Sequence, residues 1–211
     1  MNYSIFDVDG TILDSMEMWN TLASRYIQGI GLIPEVNLDQ IVSEMSLEQS
    51  AKYLKNQYKI DISESEIMDE ILNLISDFYK YEVQLKPGFK DFISKYDSIN
   101  VIGTSSDEKL VRVALKRLDV LSYFEKIITC TQVHKAKSEP DFYLACADVL
   151  NQKPQNIVVF EDAKYCICAA KKAGFQVAGV QDLEDIKSIC DIYIKDWRDF
   201  NDEKCINDCG K

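Results

Sequence analysis

The sequence predicts an α/β protein: a Rossmann-like parallel sheet with helices on both faces, interrupted by a small inserted all-helical cap domain. Two observations carry this. After Pro87-Gly88, short apolar runs alternate with amphipathic segments, the grammar of a parallel sheet covered by crossover helices. Between the first apolar run and Pro87 that alternation is replaced by helical spacing. The boundaries expected are residues 1–14 and 82–211 for the core and 15–81 for the cap.

Asn2 to Val8 reads as a short buried strand ending on Asp7 and Asp9, with Gly10-Thr11 supplying a turn. In the cap, Ile67, Ile71, Leu74, Ile75 and Phe78 repeat at helix spacing, and Ser63 with Glu66 three residues later forms a helix start. Asn100-Val-Ile-Gly-Thr is the next strand. The helix after it is expected to turn Leu110, Val113, Ala114 and Leu118 inward. Lys126-Ile-Ile-Thr-Cys is a strand, followed by a helix with Phe142, Ala145, Cys146, Val149 and Leu150 on one side. Asn156-Ile-Val-Val-Phe runs into Glu161-Asp162, a helix follows from about Ala163 to Ala173, and Phe175 to Val180 and Ile192-Tyr-Ile close the series.

Composition narrows the function classes. A hydrophobic fraction of 46% supports a real core, and no run of about 18 apolar residues exists to span a membrane. The first residues lack a basic-then-apolar segment, so a cytoplasmic location is expected. With 24 basic against 35 acidic residues the net charge is -11, which disfavours nucleic acid as a partner. A small phosphorylated metabolite remains compatible, because a local Lys and a divalent cation reverse the sign inside a site. A monomer or weak dimer is expected. The seven Cys are irregularly spaced and read as reduced thiols, with Cys205 and Cys209 in a polar tail that lacks further zinc ligands.

In an open parallel sheet, ligands collect at the carboxyl ends of the strands. Those ends carry Asp7 and Asp9, then Thr104-Ser105-Ser106, then Glu161-Asp162. Each cluster alone fits something plainer: a solvated turn, or the cap of a following helix. Together, at successive strand ends, they fit one site. Carboxylates so close need a cation, and oxygen ligands without His or thiolate suit Mg2+. One carboxylate can attack phosphorus, and another can protonate the leaving oxygen and then activate water. Thr104, backbone amides near Ser105 and the cation Lys137 can bind the phosphoryl oxygens.

These residues resemble the haloacid dehalogenase superfamily, with its four motifs in order over essentially the whole chain. Motif one is Asp7-Val8-Asp9-Gly10-Thr11 and motif two is Val101-Ile102-Gly103-Thr104-Ser105-Ser106. Motif three is Lys137 within Lys137-Ser138-Glu139-Pro140-Asp141-Phe142-Tyr143, and motif four is Phe160-Glu161-Asp162. The resemblance implies Asp7 as nucleophile, Asp9 as acid then base, and Thr104 and Lys137 on the phosphoryl oxygens. It implies Mg2+ held by Asp7, the backbone carbonyl of Asp9 and Asp162, with Glu161 in the outer coordination sphere.

Asp14-Ser15 and the helical segment after motif one resemble the beta-phosphoglucomutase-like phosphatase branch, whose cap carries much of the substrate recognition. Trp19, Tyr79 and Lys80 are the candidate leaving-group contacts, while His134 reads as a bystander. Asp9 disfavours the dehalogenases proper and the phosphonate hydrolases, which lack an Asp there. Trp19 and Leu47 stand where the mutases carry a His and an Arg, which disfavours a sugar-phosphate mutase. Ala163 and Cys166 replace the usual Ser and Gly after motif four and are expected to alter helix packing. The reading is a Mg2+-dependent phosphatase acting on a small phosphomonoester, such as a sugar phosphate. A mutase and a non-catalytic phosphometabolite-binding protein are the alternatives.

Overall fold

β-Branched and aromatic residues dominate the runs that form the sheet: β1 (Asn2–Phe6), β2 (Ser98–Thr104), β3 (Lys126–Thr129), β4 (Ile157–Glu161), β5 (Gln176–Val180) and β6 (Ile192–Ile194). The computed structural model describes residues 2–42, 45, 47–180 and 184–199. Among them the strands form one six-stranded sheet in the order β3-β2-β1-β4-β5-β6, with every pair parallel. β1 is therefore central, flanked by β2 and β4. The strand order reverses between β1 and β4, and that switch point is where an open α/β sheet leaves a crevice.

The chain divides into two compact units, Met1–Asp14 with Val83–Lys211, and Ser15–Glu82. Glu82, placed with the core on sequence, ends a π-helical turn (Phe78–Glu82) that continues the last helix of the second unit.

That second unit is helical: α1 (Met16–Asn20), α2 (Leu22–Gly29), α3 (Leu38–Val42), α4 (Leu47–Tyr58) and α5 (Glu64–Asp77). α5 starts with the expected capping box, in which Ser63 and Glu66 satisfy each other's backbone N–H groups, and it buries Ile67, Ile71 and Ile75. Tyr26 donates its hydroxyl to Glu70 across the bundle at 2.8 Å.

In the core unit, α6 (Phe89–Ile93), α7 (Glu108–Arg117), α8 (Cys130–Val133), α9 (Pro140–Leu150), α10 (Lys164–Lys172) and α11 (Glu184–Lys187) connect the strands. Two helix faces differ from the sequence expectation. α7 buries Val111, Ala114 and Leu115 while Val113 is exposed. α9 buries Phe142, Tyr143, Cys146 and Ala147, with Val149 exposed. Each segment carries two overlapping apolar stripes about one residue apart, and packing on the sheet selects one of them.

Beneath β1 and β4 lies an aromatic cluster. Phe6 and Phe160 stack at 4.2 Å, and Trp197 packs on Phe92 at 4.5 Å and on Phe89 at 5.2 Å. The buried Trp197 indole donates its N–H to the carbonyl of Thr11 at 3.0 Å, tying a late turn to the loop after β1. Gly88 makes that docking possible: it sits at φ +83°, and a Cβ there would lie 2.7 Å from the backbone N of Arg198.

Candidate active site

β1 ends at Phe6, and the next residues turn out of the sheet. Asp7 still donates its N–H to the Phe160 carbonyl of β4 at 3.0 Å, which fixes its side chain at the switch point. Gly10 adopts φ +87°, a conformation that favours glycine. The Val8 carbonyl accepts from the N–H groups of Ile12 and Leu13 at 2.9 and 2.8 Å. The loop is thus closed around the buried Val8, with Asp7 buried beside it and Asp9 half-buried.

Four of the sequence-derived residues meet there. Lys137 reaches Asp7 from a loop 130 residues later, and its Nζ donates to Asp7 Oδ1 at 2.5 Å and also pairs with Glu161. Carboxylate oxygens of Asp7, Glu161 and Asp162 all lie within 4.8 Å of one another, and all three side chains are buried. Burial and the Asp7 charge raise the Asp162 carboxyl to about 7. Burial pushes Glu161 up to about 8, Lys137 opposing and Asp7 assisting. Asp7 itself is raised by burial, with Lys137 opposing. Burial works against the Lys137 charge, yet Asp7 and Glu161 hold its ammonium well above the ordinary lysine range.

A second chain of contacts runs from β2. Thr104, buried at the strand end, accepts the Ser106 N–H on Oγ1 at 3.0 Å, leaving its own O–H to donate elsewhere. Ser106 in turn donates its hydroxyl to Asp9 Oδ2 at 2.6 Å. Ser105 is exposed. The plainer role for these residues, capping α7, belongs instead to Asp107, whose carboxylate accepts from the N–H groups of Lys109 and Leu110. Likewise α10 is preceded by Ala163 without a side-chain cap, so Asp162 does not serve as one.

Two contacts were missed on sequence. In the sequence Ser106 is only part of a polar triplet, yet its hydroxyl donates to Asp9. Tyr143, read as the aromatic of motif three, donates its hydroxyl to Glu161 Oε1 at 2.8 Å. The signal for Tyr143 was available in principle: a buried helix position where a Phe would pack equally well instead carries a hydroxyl that requires a partner.

The candidates in the helical unit have their own surroundings. Trp19 donates its indole N–H to the Tyr79 hydroxyl at 3.3 Å, and the two rings meet edge to face. Tyr79 is fully buried, which makes its ring part of the packing of that unit, while Lys80 pairs with Asp77 at 3.7 Å and is partly exposed. Trp19 also borders a cavity of about 640 Å³ within the unit, lined further by Leu22, Val42, Leu47, Leu54 and Ile71, with Asp39 among its polar residues. His134 is exposed in a left-handed turn after α8, and Cys205 and Cys209 lie outside the described residues.

No helix among the described residues is long and apolar enough to cross a membrane. The family model described as haloacid dehalogenase-like hydrolase matches residues 4–180. The phosphorylated carbohydrates phosphatase of Thermotoga maritima is 26% identical over 198 residues, which cover 90% of this chain and 90% of that protein. The beta-phosphoglucomutase of Bacillus subtilis is 29% identical over 192 residues, covering 85% of this chain and 83% of that one. Among solved structures, a HAD hydrolase of family IA, variant 3, from Entamoeba histolytica matches with a TM-score of 0.77 at 20% identity, covering 100% of both chains. With the parallel sheet, the strand-end carboxylates and Lys137 in place, this chain belongs to the haloacid dehalogenase-like hydrolase family of enzymes.

Proposed function

We propose that this enzyme is a Mg2+-dependent phosphatase that hydrolyses a phosphomonoester of a small phosphorylated carbohydrate through an aspartyl phosphate on Asp7. The observation that carries the reading is the buried cluster itself, three carboxylates within 4.8 Å of one another, two of which, Asp7 and Glu161, pair with the ammonium of Lys137. Fully ionised, that cluster would carry more negative charge than Lys137 offsets, which is why burial holds protons on it. Glu161 Oε2 is buried without a hydrogen-bond partner, and the oxygen-only donor set fits a hard divalent cation. Asp7 and Asp162, with the Asp9 backbone carbonyl, would hold Mg2+, and Glu161 would support it from outside. Bound there, the ion supplies charge neutralisation for the carboxylates and for the phosphoryl group.

The residues then divide the work. An Asp7 carboxylate oxygen attacks phosphorus in line while the bond from phosphorus to the ester oxygen breaks. Asp9, held by Ser106, gives its proton to that leaving oxygen. In the second step Asp9 takes a proton from water as the water oxygen attacks phosphorus. Phosphate leaves and the Asp7 carboxylate is regenerated. Lys137 and the Thr104 hydroxyl hold the equatorial oxygens, where charge accumulates in both steps. We assign substrate discrimination to the helical unit, through Trp19 and Lys80.

The relatives favour phosphorylated sugars, since one is named for phosphorylated carbohydrates and another is a beta-phosphoglucomutase. The mutase relative supports a second reading, in which the phosphoryl group returns to the sugar. That chemistry needs a second phosphate anchor. Among the described residues lining the cavity of the helical unit, including Trp19 and Leu47, none is cationic, which favours the phosphatase.

The test is a panel of phosphorylated sugars assayed for free phosphate with Mg2+, using wild type and Asp7→Asn. Wild type is expected to release phosphate, and Asp7→Asn to lose about 10⁴-fold in kcat. Full activity in Asp7→Asn would sink the nucleophile assignment. Isomerised sugar phosphate without free phosphate would establish the mutase instead.

A further inference from the structure

Tyr143 does more in this fold than fill space. Its ring lies in the core on α9, edge-on to Phe142 at 5.3 Å and near Phe175 at 6.2 Å, and it is fully buried. For packing alone a phenylalanine would serve. The hydroxyl, however, extends to Glu161 Oε1, a carboxylate that is only 1% exposed, at 2.8 Å. From another side the Cys166 thiol lies within hydrogen-bonding reach of the same hydroxyl. Cys166 thus has a specific neighbour, at a position where the sequence suggested only altered helix packing. Burial and the adjacent Glu161 carboxylate hold the phenol far above its ordinary range, so it is a proton donor at every working pH.

The consequence runs along a four-residue relay of contacts. Glu161 Oε1 accepts from both Tyr143 and Lys137, and Lys137 divides its ammonium between Glu161 and Asp7 Oδ1. A carboxylate held by Lys137 alone can rotate about its last side-chain bond and present both oxygens to the ammonium, drawing it away from Asp7. A second donor fixed in a packed core removes that freedom, because the tyrosine ring itself cannot shift. Resting on the phosphatase reading above, we propose that Tyr143 is a positioning residue: its hydroxyl locks the Glu161 carboxylate so that Lys137 stays on Asp7 and on the phosphoryl group Asp7 receives. It touches neither substrate nor metal, and acts through Glu161.

The experiment compares full-length wild type, Tyr143→Phe, Glu161→Gln and the double variant, with Mg2+ and p-nitrophenyl phosphate, recording kcat, KM and thermal midpoint for each. Tyr143→Phe is expected to lower kcat about tenfold to a hundredfold, the effect of one hydrogen bond to a charged group, with KM unchanged. In the Glu161→Gln background the same substitution is expected to change kcat little, because the group it positions is already lost. Wild-type kcat in Tyr143→Phe would overturn the inference. So would a lowered thermal midpoint with kcat preserved, which marks a packing role, or losses that multiply independently in the double variant. If wild type releases no phosphate from this ester or from the sugar-phosphate panel, the phosphatase reading falls and the inference falls with it. An active wild type with an indifferent Tyr143→Phe removes the inference alone.

Discussion

The strand ends of the core unit and the interior of the helical unit solve opposite problems. At the strand ends, the ionisable side chains of Asp7, Lys137, Glu161 and Asp162 are buried, and Lys137 pairs with both Asp7 and Glu161, which belong to other segments of the chain. Within the helical unit the cavity beside Trp19 mixes apolar with polar side chains and, among the described residues, includes no cation, and one of its polar residues, Asp39, accepts from the Ser24 N–H at 3.1 Å. A site that handles a charged phosphoryl group must have its charges fixed beforehand, so backbone at strand ends is the suitable support. In the function proposed above the helical unit distinguishes one alcohol from another, a task that needs shape more than charge.

The contrast can be broken most directly at Lys137. Replacing it with Ala removes the one cation shared by Asp7 and Glu161, and kcat is expected to fall about 10³-fold under saturating substrate. Phosphate-release kinetics check this, and a loss under tenfold would mean the ammonium is not needed on the phosphoryl group. The helical unit should respond in the opposite way. Leu54 is fully buried on α4 and borders the cavity, so Leu54→Ala is expected to cost about 2–4 kcal/mol in denaturant unfolding. Turnover of p-nitrophenyl phosphate should remain within a factor of about two, since the charged cluster is built entirely from residues of the core unit. A parallel collapse of kcat would show that chemistry and recognition are not separable in this way.

A smaller effect tests the charge balance of the core. Glu161 at about 8 and Asp162 at about 7 lie above the ordinary carboxylate values of 4.5 and 3.8, so the folded protein holds protons that the unfolded chain has released. The contribution of these two carboxyls to the stability of the metal-free protein is therefore expected to be full below that ordinary range and to be lost as pH rises through 8. Mg2+ favours the ionised carboxylates, so its thermal stabilisation should be larger at pH 8 than at pH 6, by about 5 °C. Equal shifts at the two pH values would argue that the ion does not meet this cluster.

These regions also differed in how far the sequence exposed them. The strands, their carboxyl-end residues and the capping box at Ser63 were legible because each rests on a local pattern: an apolar run, a turn glycine, a Ser with Glu at the third position. The inward face of α7 was not. Leu110, Val111, Val113, Ala114, Leu115 and Leu118 offer two adjacent stripes, and the choice between them is made by the sheet they pack on. Ser106 and Tyr143 escaped for a related reason. Their partners, Asp9 and Glu161, are 97 and 18 residues away, so only the folded chain brings the pairs together. Trp19 was legible as a residue of interest, but its pairing with Tyr79, 60 residues on, was not.

The tether between Trp197 and the Thr11 carbonyl has a consequence for synthesis. β1, which leads into Asp7, is synthesised well before its sheet neighbours, since β2 and β4 come about 100 and 150 residues later. The brace on its loop follows later still. A nascent chain paused anywhere before Trp197 holds Asp7 on a strand whose following turn lacks that support. Co-translational assembly must therefore keep an apolar central strand waiting, exposed to chaperones or to wrong partners, until Trp197 has been made.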